Sequence, residues 1–264
     1  MDLGLNGKTA VVSGSTAGIG FAIAATLARE GAKVVVNGRT EARVAAALAQ
    51  IRQLVTNADV RGVAADLGTS PGVQMLVKQV PEADILVNNL GIFEVKSFAE
   101  ISDADWLRFF EVNVLSGVRL VRHYLPSMLE RNWGRIIFIS SESAQQIPVE
   151  MIHYGMTKTA QVSIARGLAE SLAGSGVTVN AILAGPTASE GAEQFVGRMA
   201  KAQGVTRAEI EKQFFSSVRP TSLLKRFETP EEVAAVVAFV ASTRAVTING
   251  AAVRAEGGVL RSIF

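Results

Sequence analysis

The sequence predicts an α/β fold, a doubly wound and mostly parallel sheet with helices on both faces. Three observations carry this expectation. Short apolar, β-branched runs alternate with longer stretches of helical spacing along nearly the whole chain. Those runs lack a polar face, as strands covered on both sides do. The first run also stops at a glycine cluster that opens a helix, which is how ligand-binding βα turns of such sheets begin.

The elements follow in order. Residues 9–13, Thr-Ala-Val-Val-Ser, form the first expected strand. Residues 18–29 form a helix with Ile19, Ala22, Ile23 and Leu27 on one face, and Gly31 suits its C-terminal stop. A second strand at 33–37 precedes an Ala-rich helix at 41–54. Strands are expected at 60–64, 84–88, 135–140 and 177–183, with long helical stretches around 103–131 and 155–173. Thr229 caps a helix that opens at Pro230 and runs through Ala241, and 251–255 supplies the last strand. No repeat, low-complexity tract or linker divides residues 1–264, which read as one domain. Residues 188–227 break the alternation with two amphipathic pieces. These carry Phe195 and Met199, then Ile210, Phe214 and Phe215. Following the sixth strand at the carboxyl edge of the sheet, they are expected to form a mobile substrate lid.

Composition narrows the function. The 264 residues include 26 Lys+Arg, 24 Asp+Glu, 2 His and no Cys. Without Cys there are no disulfides, thiolate metal sites or Cys nucleophile, and two isolated histidines make no metal site. A net charge of +2 gives no reason to expect a nucleic-acid partner. The first residues lack the basic and apolar regions of a signal peptide. The longest apolar run, 233–241, falls far short of the roughly 20 residues that span a bilayer. The expectation is a soluble, cytoplasmic protein with no membrane partner.

Ser13-Gly14-Ser15-Thr16-Ala17-Gly18-Ile19-Gly20 sits between the first strand and first helix. Glycines there permit a tight turn and let backbone N–H groups approach a pyrophosphate at a helix N-terminus. Gly14, Ser15, Thr16, Gly18, Ile19 and Gly20 are therefore candidate cofactor contacts. No Gly-Lys-Ser/Thr follows, which argues against a P-loop nucleotidase. After the second strand, Asn37-Gly38-Arg39-Thr40 has no carboxylate for ribose hydroxyls and offers the guanidinium of Arg39. That charge pattern favours NADP(H), with NAD(H) the alternative. Asp66, ending the third strand, either accepts from an adenine amine or caps a turn. Asn88-Asn89-Leu90-Gly91 brings amides and a flexible glycine to the sheet edge, or satisfies local backbone.

Tyr154 and Lys158 share a helix face at i, i+4 spacing. A phenol, with ordinary pKa about 10, becomes a useful acid–base group when a nearby ammonium stabilises its phenolate. Ser141 follows the apolar strand Ile136-Ile137-Phe138-Ile139, in position to hold a substrate oxygen beside Tyr154. Asn113 is an amide within an apolar helical run, either a satisfied core amide or an anchor for water near Lys158. Glu142, Gln145, Gln146, Glu150 and His153 flank these residues as further polar groups.

From Gly7 to Glu256-Gly257-Gly258, these motifs occur in an order and spacing that resembles the classical short-chain dehydrogenase/reductase family. The resemblance rests on 13–20, 88–91, Asn113, Ser141, Tyr154 with Lys158, and 180–186. It implies a Rossmann-type fold and hydride transfer between a nicotinamide and a small carbonyl or alcohol substrate. Tyr154 would be the general acid/base, Lys158 would bind the nicotinamide ribose and lower the phenol's pKa, Ser141 would polarise the carbonyl, and Asn113 would hold a relay water. Leu67 beside Asp66, then Gly185, Thr187 and Ser189, would complete the cofactor contacts. A homotetramer, or else a homodimer, is implied, and 3-oxoacyl-thioester reduction is the commonest related role. The sequence departs from the family pattern at Ser13 (usually Thr), Leu90 (usually small) and Ala184 (usually Pro), and its glycine loop has no basic residue. A catalytically silent nucleotide-binding regulator on the same fold is the competing reading.

Overall fold

The strands β1 (Thr9–Val12), β2 (Lys33–Gly38), β3 (Val60–Ala64), β4 (Ile85–Asn88), β5 (Gly134–Ser141), β6 (Val177–Ala184) and β7 (Ala252–Ala255) make one sheet in the order β3-β2-β1-β4-β5-β6-β7. Every neighbouring pair is parallel. These are features of a computed structural model that describes residues 1–263, apart from the side chains of Gln194 and Phe195. The chain starts mid-sheet, winds to one edge, returns to β4 and winds to the other. The strand order thus reverses between β1 and β4, and their carboxyl ends open the crevice where such sheets bind ligands.

Alternation along each strand feeds two cores. Val12, Val36, Val87, Ile137 and Ile182 pack with α1 (Gly18–Arg29), α2 (Glu41–Leu54) and α9 (Pro230–Ala241). Val11, Val35, Leu86, Ile136 and Ala181 pack on the other face with α3 (Ser70–Gln79), α5 (Ser116–Glu130) and α6 (Ile152–Ser171). Two buried faces explain why the strands read as unbroken apolar runs.

Several elements differ from the sequence expectation. Helix α3 was not expected. Its start, Ser70-Pro71-Gly72, looks like a turn, yet Thr69 caps it by accepting from the Gly72 N–H at 3.1 Å, and proline is tolerated in a first turn. The stretch expected as one helix at 103–131 is α4 (Asp103–Phe110), a π-helical turn at Glu111–Leu115, and α5. Asn113 lies in the π-turn. Helix α6 begins at Ile152 rather than 155, so Tyr154 belongs to its first turn.

After β6 come α7 (Glu190–Gln203), α8 (Arg207–Gln213) and a π-turn at Phe214–Val218. The Phe195 side chain, named with the first amphipathic piece, lies outside the described residues. This excursion leaves and rejoins the sheet at one point, where Thr187 and Glu228 form a parallel bridge and the Glu228 N–H donates to the Pro186 carbonyl at 2.9 Å. Among the described residues, no helix is long and apolar enough to cross a membrane.

Candidate active site

The glycine turn is built by hydrogen bonds from below. Gly14 has φ +61°, and its N–H donates to Oδ1 of Asn37 at 3.1 Å. Asn37, 2% exposed, also donates to the carbonyls of Val63 and Ala65 at 3.1 and 3.0 Å, so one amide joins three strand ends. Ser13 keeps the hydroxyl expected of it, accepting from the N–H groups of Asn89 and Leu90 at 2.9 and 3.0 Å. Gly20 must be glycine, because a Cβ there would stand 2.4 Å from Asn89 Nδ2 and 2.5 Å from the Gly14 carbonyl. Ser or Thr side chains cap α2, α3, α4, α7, α8 and α9, but Ala17 precedes α1 and no side chain caps it. The first-turn N–H groups of Gly18, Ile19 and Gly20 lie at this uncapped end, an arrangement suited to an anion.

Not every expected cofactor residue offers its side chain. The Ser15 hydroxyl donates to the Val12 carbonyl and accepts from Asn37 N–H, and its own N–H donates to the Asn37 carbonyl. It is engaged in holding β1 to β2. Leu67 is a core residue, 1% exposed. Asp66 takes the turn option, its Oδ1 accepting from the Gly68 N–H at 3.0 Å. Asn88 is buried against the position of Gly117, with no hydrogen-bond partner among the described residues for either side-chain polar atom. Arg39 is exposed beyond β2, and Thr16 packs at the preceding Gly38.

Ser141 ends β5, and Tyr154 and Lys158 occupy successive turns of α6. All three line one cavity of about 710 Å³ at the carboxyl edge of the sheet, together with Ile19, Asn89, Gly91, Gly185, Thr187 and Ser189. The Ser141 hydroxyl lies close enough to the Tyr154 phenol to pull its pKa down. The ammonium of Lys158 lies 5.5 Å from the phenol ring centroid and donates to the Ile139 carbonyl at 2.8 Å. A Cβ on Gly91 would stand 3.6 Å from both Lys158 Nζ and Asn113 Oδ1. The Asn113 side chain takes the satisfied option. It accepts from the Ile92 N–H at 2.8 Å and donates to the Ile92 carbonyl and Thr157 hydroxyl, both at 3.0 Å.

One electrostatic expectation is corrected. Burial, then the carboxylate of Glu142, pushes the Tyr154 phenol above its ordinary value; the Ser141 hydroxyl and Arg219 pull it down. Burial also lowers Lys158 to about 8, against a smaller upward pull from Glu142. Burial therefore outweighs the lowering of the phenol pKa expected from Lys158. The phenol is held in its protonated form.

Three groups escaped full notice in the sequence. Glu142 was one of five flanking polar residues, but it alone accepts from the Ser141 hydroxyl. Arg219, just past the π-turn, meets it in a buried ion pair at 2.9 Å. Gln161, one turn beyond Lys158, accepts from Nζ at 3.3 Å and donates to the Asn113 carbonyl at 2.6 Å. Its i, i+3 spacing from Lys158 was the available signal. Gln145 and Gln146 are exposed, whereas His153 is buried against Phe109, ring centroids 4.0 Å apart.

Known proteins are similar to this chain over its whole length. Oxidoreductase YvaG of Bacillus subtilis (strain 168) is 48% identical over 264 residues, covering 100% of both chains. D-beta-hydroxybutyrate dehydrogenase of Cupriavidus necator is 32% identical, covering 96% of this chain and 98% of its own. The crystal structure of L-sorbose reductase from Gluconobacter frateurii, complexed with NADPH and L-sorbose, superposes with a TM-score of 0.93 at 33% identity over 100% of each chain. A family profile described as short chain dehydrogenase matches residues 8–199. With the parallel sheet, the glycine turn and the shared cavity, this establishes that the chain belongs to the short-chain dehydrogenase/reductase family of oxidoreductases.

Proposed function

We propose that this protein is an NADP(H)-dependent reductase of ketones, or dehydrogenase of the matching secondary alcohols. The observation that carries the reading is the convergence of Ser141, Tyr154 and Lys158 on one cavity beside the Gly185–Thr187 turn. The chain's own residues fit a dinucleotide. The uncapped first turn of α1 suits a pyrophosphate, Arg39 suits a 2′-phosphate, and Lys158 beside Gly91 suits the hydroxyls of a ribose. When bound, the reduced nicotinamide supplies the hydride. The NADPH held by the L-sorbose reductase of Gluconobacter frateurii supports the phosphorylated cofactor.

Tyr154 then acts as general acid, giving its phenolic proton to the carbonyl oxygen as that oxygen gains charge. Its protonated state suits reduction, in which a proton must be donated. Ser141, its hydroxyl turned from the Glu142 carboxylate to the substrate, orients the same oxygen with a hydrogen bond. Lys158, buried and cationic near neutral pH, stabilises the phenolate left behind. Val196, Met199, Ile210 and Phe214 of segment 188–227 line the cavity, and this segment acting as a lid would exclude water from the proton transfer. This apolar wall also suits the acyl chain of a 3-oxoacyl thioester.

The test is a panel of ketones and secondary alcohols, followed by nicotinamide absorbance with both cofactors. Turnover dependent on NADP(H) supports the reading. Tight nucleotide binding without turnover of any carbonyl or alcohol would favour the silent regulator.

A further inference from the structure

Glu142 directly follows Ser141 and is only 4% exposed. A carboxylate so enclosed is costly unless its oxygens are paired. Oε2 accepts from the Ser141 hydroxyl, and Oε1 accepts from Nε of Arg219 at 2.9 Å. Arg219, 6% exposed, is itself committed: Nη1 donates to the Val218 carbonyl at 3.1 Å and lies 3.7 Å from Oε1 of Glu150. Glu142, Glu150 and Arg219 all line the cavity that holds Ser141 and Tyr154. Two carboxylates therefore face one guanidinium. Lys158, the other described cation on the cavity wall, stands at Gly91 and donates to Ile139 and Gln161. Glu142 acts electrostatically on Lys158 as well, so the excess of negative charge is local to the two carboxylates around Arg219.

From this arrangement we propose that the site takes uncharged carbonyl compounds and rejects those bearing a carboxylate one or two carbons from the carbonyl, with Glu142 as the specificity-determining residue. The inference rests on the reductase reading. A carbonyl oxygen held by Ser141 is one side chain away from Glu142, so a carboxylate near that carbonyl meets a like charge across a poorly solvated space. The paired Arg219 guanidinium offsets much of this repulsion, which at a separation of about 5–6 Å then lowers affinity on the order of tenfold. An ester, thioester or hydroxymethyl group in the same place carries no such penalty. The carboxylate oxygens of Glu142 have further lone pairs with which to accept from a substrate hydroxyl. A substrate of the kind named for the Cupriavidus necator relative carries the disfavoured group.

Methyl 3-oxobutanoate and 3-oxobutanoate are a matched pair, neutral and anionic. Their kcat/KM values with NADPH are measured, together with their affinities for the NADP⁺-loaded protein by calorimetry. The expected result is a preference for the ester on the order of tenfold in both. Glu142→Gln should cut that ratio at least about threefold, mainly through KM for the acid. Glu150→Gln, at a partly exposed position, should move it the same way and serves if Glu142→Gln does not fold. Acid bound or reduced as well as ester, neither compound bound, or an unchanged ratio in the variants would overturn the proposal. Ester bound preferentially but no carbonyl turned over would instead remove the reductase reading and leave the charge discrimination standing.

Discussion

Gln161 ties Lys158 to the π-turn: its Oε1 accepts from Lys158 Nζ at 3.3 Å while its Nε2 donates to the Asn113 carbonyl at 2.6 Å. The ammonium thus has a side-chain acceptor as well as the Ile139 carbonyl, both favouring its charged form against burial. With Lys158 at about 8, affinity for NADPH should fall as pH rises through that value, because the neutral amine holds the cofactor less well. Gln161→Leu removes one acceptor and should move the fall toward lower pH by roughly half a unit. Fluorescence titrations of NADPH over a pH series check this; an unmoved alkaline limb would show that Gln161 only packs.

Tyr154→Phe removes the acid and little else, since the ring keeps its edge contact with Phe93 at 6.4 Å. Turnover should drop by about a hundredfold to ten-thousandfold, with NADPH affinity nearly unchanged. Single-turnover kinetics beside cofactor titration separate the two quantities. Retained turnover would remove Tyr154 from the proton transfer.

Most of the fold was legible because each strand has two buried faces and each βα turn carries its own signal. Glycines marked the first turn, and Thr229 with Pro230 marked the last helix. The missed helix shows the limit, since Ser70-Pro71-Gly72 reads as a turn until the Thr69 cap and the core contacts of Val73 and Leu76 are seen. The site divides in the same way. Ser141, Tyr154 and Lys158 were legible from their spacing along a strand, a loop and a helix. Arg219 was not, because it reaches Glu142 from 77 residues away and only the folded excursion after β6 makes them neighbours. Asn37 was read as part of a cofactor turn, whereas its amide is a structural tie among three strands.

Arg39 is the exposed cation beyond β2, and Arg43 one turn later is paired with Glu190 of α7 at 2.8 Å. Arg39→Asp should replace an attraction for a 2′-phosphate with repulsion. The NADPH/NADH affinity ratio should fall at least about tenfold, with NADH binding retained. Parallel titrations with both nucleotides measure it, and an unchanged ratio would defeat the assignment.

Asn37→Ala strands the Gly14 N–H and removes the donors to the Val63 and Ala65 carbonyls. At a position 2% exposed, water cannot readily replace them. The expected loss is about 2–4 kcal/mol in denaturant unfolding, accompanied by weaker nucleotide binding because the glycine turn loosens. A loss below about half a kcal/mol would show that the neighbouring strands hold the turn unaided.

Glu228, 4% exposed where the excursion after β6 rejoins the sheet, leaves its Oε2 without a hydrogen-bond partner among the described residues. Burial first, with Glu232, Glu256 and Glu142 adding to it and the Gly185 N–H opposing, raises this carboxyl from 4.5 to about 7. The folded state therefore holds the proton more tightly than the unfolded chain does. Its contribution to stability is full below pH 4.5 and is lost as pH rises through about 7. Glu228→Gln keeps the shape and removes the titration. Relative to the parent protein it should be near neutral at about pH 4.5 and more stable by about 1–2 kcal/mol at about pH 8, allowing for solvent screening. Thermal or urea unfolding at the two pH values gives the difference directly. A gain of equal size at both would mean that the amide improves packing and that the Glu228 charge does not strain this junction.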